Sequence, residues 1–382
     1  MTRRHTVAVN MLWCRPGKVG GSEEYLVRQL LGAAEASAAA RASTPNADAP
    51  VDIVVYAPRG FSRAHPDLCD AWRVVEAPSD CSRRPVRVGL ESTWFAAASR
   101  HADLVHDGGG TSPALGRSPR VLTIHDLQYT EYPEYFSAVK RAWLTRQVPR
   151  AARRATHIVA PTRFVADTVV RMLGADPAKV SVVRHGIEAS LGAHATPEAE
   201  LRRRFALTAR EVIVFPAITH PHKNHSFLLE LLDGAWRGRD VQLVCAGGPG
   251  RAEAALRAQC RALGLDDVVR FTGRVSPADR DGLVKMATAL VFPSTYEGFG
   301  APVLEAMVLG TPVVCSDQAA LAEVVAGAGV VRPLRIDSWA DALDVVVRER
   351  ATLVAAGHRR ARDFTARASG EDLLGVYERV LA

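Results

Sequence analysis

Two doubly wound α/β domains are the fold class this sequence predicts, and three observations carry it. Short β-branched runs alternate with longer helix-period segments along the whole chain, the pattern that right-handed parallel crossovers leave in a sequence. Runs such as IVVY (53–56), VIVF (212–215) and QLVCA (242–246) are apolar on both faces, as strands covered by helices on both sides must be. Twelve such runs are too many for one comfortable sheet, and 382 residues suffice for two domains of about 150–200 residues each.

In chain order the first six predicted strands are Thr6–Met11, Asp52–Ala57, Asp103–His106, Arg120–Ile124, His157–Ala160 and Val180–Val183. Residues Thr6 to Trp13 follow two arginines, but Asn10 interrupts the stretch and no small-residue cleavage site follows. A buried first strand is therefore expected rather than a leader. The Ala/Ser-rich stretch Gly32–Ser43 continues the first helix, and Thr44–Pro50 reads as a solvent loop. The periodic pattern lapses near His185–Pro197. Six further strands follow, at Glu211–Ala217, Val241–Ala246, Val268–Thr272, Ala289–Pro293, Pro312–Ser316 and Gly329–Arg332. The expected division is two Rossmann-like domains, 1–188 and 189–365, with a C-terminal helix at about 366–382 packing back on the first.

Composition narrows the function classes. With 48% hydrophobic and 23% charged residues the chain is neither disordered, collagenous nor a disulfide mini-scaffold. The six cysteines are scattered without a CxxC pair, which reads as reduced thiols of a cytoplasmic protein. No apolar run approaches the roughly 18 residues of a membrane span. Residues 1–190 carry 25 basic against 18 acidic side chains and the remainder 23 against 23, so the net charge of +7 lies in the first half. Few aromatics and no stacking motif argue against nucleic acid as the anionic partner.

The most informative segment is Phe292–Asp317, FPSTYEGFGAPVLEAMVLGTPVVCSD. A strand ends at Pro293, a loop carries Glu297, Gly298, Phe299 and Gly300, and a helix is expected to begin near Pro302. Glycines that let amides approach a ligand, followed by a helix start, make an anion site at the carboxyl end of a strand. Carboxylates would repel a phosphate but accept the O–H of a sugar. Glu297 and Glu305 thus point to a ligand with sugars on both sides of a diphosphate, or else to a loop solvator and a first-turn dipole partner.

Those two glutamates stand at the E-x7-E spacing of retaining GT-B glycosyltransferases, and the surrounding text resembles glycosyltransferase family 4. The likeness extends to GGSE (20–23), HD (125–126), PHKN (221–224) and FTGRVS (271–276), in the family's order. It implies two Rossmann-like domains facing a cleft, the nucleotide-diphosphate sugar held mainly by the second and the acceptor by the first. By resemblance Glu297 contacts the donor sugar and Glu305 the ribose, with Gly298 and the amides of Phe299, Gly300 and Ala301 near the diphosphate and sugar. Arg274 and Val275 match the segment that holds the base, and His125 the histidine against the donor sugar.

The remaining candidates carry alternatives. Gly20 and Gly21 precede a helix that Ser22 is placed to cap. They form either a phosphate cradle or a plain βα turn. Lys223, among three histidines, is placed to neutralise a departing diphosphate. Where many family members have an arginine several residues earlier, this chain has Ala217 and Ile218, which leaves His222 or Arg274 to supply a second positive group. His125–Asp126 is either a ligand contact or a loop-stabilising pair. Asp279–Arg280–Asp281 spells D-x-D, but residues two apart on a helix diverge, so it reads as dipole complement and no metal is expected. The basic stretch Lys140–Arg154, broken by Pro149, offers Lys140, Arg141, Trp143 and Arg146 either to an anionic membrane or acceptor, or to solvent.

The expected activity is retaining hexosyl transfer without metal or resident cofactor. The resemblance favours mannose from GDP-mannose as donor, with a saccharide, glycolipid or lipid-linked acceptor in cell-surface glycan synthesis. UDP- or dTDP-sugar donors, a nucleotide-sugar epimerase or hydrolase, and a non-catalytic binding protein are the alternatives. A dinucleotide oxidoreductase is disfavoured, because the loop after the first strand reads RPGKVGGSEE rather than G-x-G-x-x-G. The expected location is the cytoplasm, with the inner face of the cell membrane as a surface for peripheral contact.

Overall fold

The computed structural model describes residues 5–16, 21–43, 51–116 and 119–382. The expected solvent loop at 44–50 lies outside them. The chain divides into two compact units, Met1–Glu188 with Phe364–Ala382, and Ala189–Asp363.

Unit 1 is built on seven parallel strands: β1 (His5–Asn10), β2 (Val51–Ala57), β3 (Arg73–Glu76), β4 (Leu104–Asp107), β5 (Arg120–Thr123), β6 (His157–Ala160) and β7 (Val180–Val182). Their order is β3-β2-β1-β4-β5-β6-β7. Strand β3 was not expected from the sequence. Its four residues, RVVE, form a short and partly exposed edge, too brief to show a period. Unit 2 holds β8 (Glu211–Phe215), β9 (Val241–Cys245), β10 (Val269–Phe271), β11 (Ala289–Phe292), β12 (Val313–Ser316) and β13 (Val330–Arg332), ordered β10-β9-β8-β11-β12-β13. Strand order reverses between β1 and β4 in the first sheet and between β8 and β11 in the second. Loops leaving the carboxyl ends of those neighbours diverge there and open a crevice.

The first core fills in as the patterning requires. Val7 and Val9 of β1, Ile53 and Val55 of β2, and Leu104 and Val121 are fully buried against Tyr25, Leu26 and Leu30 of the long helix Gly21–Ser43. The C-terminal helix Ala366–Leu381 adds Leu373 and Tyr377 to the same core. Two glycines let these helices meet backbone to backbone. A Cβ on Gly32 would lie 1.7 Å from the Ala366 carbonyl oxygen, and one on Gly370 2.0 Å from the Ala33 nitrogen. Gly370→Ala is therefore expected to cost about 1–3 kcal/mol by overpacking, although helix propensity alone would favour alanine by about 1 kcal/mol. Gly375 sits in the same helix with its nearest neighbour 3.8 Å away, so Gly375→Ala is the control. Urea titration checks the pair, and equal stabilisation of both variants would refute the tight crossing.

One further expectation is corrected. Pro149 does not interrupt its helix, which runs unbroken from Ala138 to Arg154 with the proline inside. Ser137 caps the start, its hydroxyl accepting from Lys140 N, and Val148, Ala151 and Ala152 bury one side. That packing holds the helix together across the lost backbone hydrogen bond.

Candidate functional site

The unit 2 crevice is assembled from the loops after β8 and β11. After β8 the chain forms a short 3-10 turn, Pro221–Lys223, and Asn224 at φ 57° redirects it into the helix His225–Asp233. After β11, Thr295 donates through both its amide (2.8 Å) and its hydroxyl (3.2 Å) to the carbonyl of His222, binding the two loops together. Lys223 Nζ then donates to Glu297 Oε1 at 2.5 Å and lies 5.3 Å from the centre of the Phe292 ring. Both partners are largely screened from water, with side chains 18% and 12% exposed. Two residues 74 apart in sequence thus meet as an ion pair at the switch point.

Gly300 takes φ 89°, a left-handed conformation that admits glycine, and leads directly into the helix Ala301–Val308 with Pro302 in its first turn. Phe299 is buried, so the loop between Glu297 and the helix is anchored rather than free-hanging. Glu305, 7% exposed, sits in the middle of that helix. Arg274 and Val275 follow β10, two strands away on the same sheet edge, where Gly273 turns the chain at φ 69°.

His222 and His225, beside Lys223, are not cations. Burial, reinforced by Lys223, pushes the His222 imidazole down to about 3 and His225 likewise to about 3, so both are neutral near pH 7. Of the two candidates for a second positive group, His222 is therefore a neutral ring here and Arg274 is the one with a permanent charge.

Sequence reasoning missed the loop after β9. Thr219, nearly buried, receives the amide of Gly250 on its hydroxyl (2.6 Å), donates that hydroxyl to Glu253 Oε2 (2.7 Å), and accepts at its carbonyl from Ala252 N. A Cβ on Gly247 would lie 1.9 Å from the Ala217 carbonyl oxygen. Strand, AGGPG and helix repeat the logic applied to residues 292–302, and that repetition was the available signal.

In unit 1, Gly20 lies outside the described residues and Gly21 is the first residue of the helix Gly21–Ser43. Ser22 therefore stands within the first turn instead of capping it. Glu23 is the residue overlooked there. Its buried carboxylate accepts from the Arg15 amide (3.0 Å) and contacts His65 Nε2 (2.9 Å), pinning the loop after β1.

His125 follows β5, and its Nε2 is 2.8 Å from the Gly108 carbonyl. A carbonyl only accepts, so Nε2 carries the proton and Nδ1 is a bare acceptor, with no hydrogen-bond partner among the described residues. Burial pushes this imidazole down to about 4, so the neutral tautomer holds near pH 7. Asp126, by contrast, accepts from Gln128 N and shapes the loop. His125 lines a pocket of about 310 Å³ with Trp13, Gly109, Phe136, Lys140, Leu144 and others.

On the helix Ala138–Arg154, Lys140, Arg141 and Arg146 are exposed, whereas Trp143 is half-buried beneath Arg84 and Arg87, 5.0 and 5.9 Å from its ring centre. Trp143 thus serves packing at least as much as an external surface. The D-x-D carboxylates are engaged within unit 2. Asp279 accepts from Thr196 and Arg204, and Asp281 accepts from Gly192 N and pairs with Arg280. Among the described residues no cluster of three or more His, Cys, Asp or Glu side chains is arranged to hold a metal, and no helix is long and apolar enough to cross a membrane.

Comparison with known proteins places this geometry. Residues 44–191 match Glycosyltransferase Family 4, and residues 198–363 match Glycosyl transferases group 1. A D-inositol 3-phosphate glycosyltransferase of Kineococcus radiotolerans is 32% identical over 326 residues, covering 74% of this chain and 73% of that one. An O-antigen chain mannosyltransferase of Salmonella typhimurium is 29% identical over 302 residues, covering 74% and 79%. The Anabaena protein HepE, solved with UDP and glucose, superposes with a TM-score of 0.74 at 19% identity, covering 98% of this chain and 100% of that one.

Proposed function

The chain belongs to glycosyltransferase family 4, with the GT-B fold, and from that premise we propose that it is a retaining, metal-independent hexosyltransferase whose first-choice donor is GDP-mannose. The observation that carries the reading is the contact of Lys223 with Glu297 at the β8/β11 switch point, beside a glycine loop that runs into the helix bearing Glu305. A cation, a carboxylate and a helix start at one sheet edge match the parts of a sugar linked through a diphosphate to a nucleoside.

In this mechanism Lys223 and the helix start at Ala301 stabilise the charge that grows on the departing diphosphate. Glu297 orients the donor sugar, Glu305 holds the ribose diol, and Val275 and Arg274 lie toward the base. Gly298, Phe299, Gly300 and Ala301 line the diphosphate path. No side chain is assigned as a nucleophile. The acceptor hydroxyl attacks the face that the leaving group vacates, its proton passes to the leaving phosphate oxygen, and configuration is retained. His125, neutral, accepts a hydroxyl hydrogen bond on Nδ1. Unit 1 takes the acceptor, a saccharide, glycolipid or lipid-linked glycan. Lys140, Arg141 and Arg146 meet anionic headgroups at the inner face of the cell membrane.

Support for mannose comes from the Salmonella typhimurium relative, whose name is that of a mannosyltransferase. The bound UDP and glucose of HepE favour a UDP-sugar as the second reading. Thermal shift decides between them. A ligand at 100 times its Kd stabilises by about 2.7 kcal/mol, a shift of several degrees. GDP is expected to give that shift where UDP and dTDP do not, with mannosyl transfer from GDP-mannose following. A shift with UDP alone moves the donor to a UDP-sugar, and no shift with any of the three refutes the reading.

A further inference from the structure

We propose that Arg251, in the loop after β9, is the second cation of the donor site and binds the diphosphate together with Lys223. This rests on the reading above that unit 2 holds a nucleotide-diphosphate sugar.

Charge balance calls for such a group. At the β8/β11 switch point the ammonium of Lys223 stands beside the Glu297 carboxylate, and Glu305 brings a second carboxylate. His222 and His225 are neutral rings. The helix start at Ala301 contributes about half a positive charge. Together these groups do not outweigh the two carboxylates. A diphosphate, however, is an anion when it binds and gains charge as the sugar leaves. The loop after β8 reads AITHPH (217–222) before Lys223, and the exposed Ile218 brings it no charge.

Arg251 and Arg274 both follow strands of this sheet at its carboxyl edge, Arg251 after β9 and Arg274 after β10. Sheet order separates their roles. Neighbouring strands lie about 4.8 Å apart. Strand β9 is next to β8 and β10 lies beyond it, so Arg274 starts about twice as far from β8, on the side assigned to the base.

Backbone packing brings the β9 loop onto the β8 loop. A Cβ on Gly247 would lie 1.9 Å from the Ala217 carbonyl oxygen, and one on Gly250 2.5 Å from the Thr219 carbonyl oxygen and 2.9 Å from His220 N. Residues 247–250 therefore lie against residues 217–220 with no side chain between them. Thr219 fastens the two segments. Gly250 N donates to its hydroxyl (2.6 Å) and Ala252 N to its carbonyl (2.9 Å), so hydrogen bonds close on either side of Arg251. Its backbone is thereby fixed against the loop that ends in Lys223, whose own amide donates to the His220 carbonyl (3.0 Å). Glu253, the acid of this loop, has Oε2 on the Thr219 hydroxyl and Oε1 on Arg257 Nε (2.7 Å), so its charge is balanced by Arg257. Arg251 itself is exposed. A guanidinium keeps its charge at any working pH and can meet two phosphate oxygens at once.

The test compares a nucleotide with its nucleoside. GDP and guanosine, or UDP and uridine where UDP is the nucleotide that stabilises the protein, are titrated calorimetrically into the full chain. The ratio of the two affinities isolates the phosphates. Arg251→Gln is expected to lower that ratio about tenfold to hundredfold, the loss of hydrogen bonds to a charged group, with nucleoside affinity held within about twofold. Arg274→Gln is the comparison, expected to weaken nucleoside and diphosphate alike and so to keep the ratio. Three results overturn the proposal while the donor reading stands: an unchanged ratio in Arg251→Gln, an equal loss for nucleoside and diphosphate in that variant, or a ratio lowered as much by Arg274→Gln. A parent chain that binds none of these nucleotides sinks the donor reading and this assignment with it.

Discussion

Lys223→Ala is expected to lower kcat by about 10²–10³-fold, the usual consequence of removing one preorganised charge from a developing anion. Donor affinity should fall much less, because the interaction strengthens only as negative charge moves onto the diphosphate. The geometry explains why this lysine is suited to the task. Its ammonium is held between the Glu297 carboxylate and the Phe292 ring, so little freedom remains to be lost when charge develops. Glu297 also draws off part of that positive charge. Glu297→Gln should consequently bind the nucleoside diphosphate product several-fold more tightly while turning over more slowly, because sugar orientation is lost and product release is delayed. Steady-state kinetics with calorimetric titration of the diphosphate checks both variants. Unchanged kcat in Lys223→Ala, with only a lower Tm, would reduce the pair to a structural link between two loops.

The second large effect is expected at Glu305. Glu305→Gln keeps shape and volume in the buried helix but replaces an ionised acceptor by a neutral amide. Hydrogen bonds to charged groups contribute about 1.5–3 kcal/mol, so donor KM should rise about 10–100-fold if the carboxylate grips a ribose diol. A 2′,3′-dideoxyribose donor discriminates the causes. The parent chain should bind it as weakly as Glu305→Gln binds the natural donor, and the variant should show no further loss. A carboxylate serving only as a helix-start partner predicts the opposite pattern: lower thermal stability, unchanged donor KM, and full sensitivity to the missing hydroxyls in both proteins. Its position argues against that role, since Glu305 lies four residues past the helix start at Ala301 and 7% exposed, where a dipole partner would sit nearer the end and in water.

All twelve expected strands recur in the two sheets, because a strand covered on both faces leaves an uninterrupted apolar run such as IVVY or VIVF, and that signal needs no partner to be read. Strand β3 escaped because an edge strand of four residues, with only one side covered, leaves no such run. Pro149 misled for a related reason. A proline's local cost is legible, but the burial of Val148, Ala151 and Ala152 that outweighs it belongs to the tertiary fold. Lys223, Glu297, Glu305 and His125 could be singled out as candidates from the sequence because their residue types announce a chemistry. Glu23 and Thr219 could not, because a first-turn acid and a loop threonine are common, and only the chain segments they fasten give them significance.

By itself the sequence determined the two-sheet class, twelve of its thirteen strands and which residue types could meet a sugar diphosphate, since periodicity and side-chain chemistry are local properties. Tertiary structure alone decided which of them meet and in what charge state. It set Lys223 on Glu297 across 74 residues, turned His222 from a candidate cation into a neutral ring, and left His125 Nδ1 without a partner among the described residues. Distances and burial come from the packing of distant segments, and the electrostatics of a site follow from those two quantities.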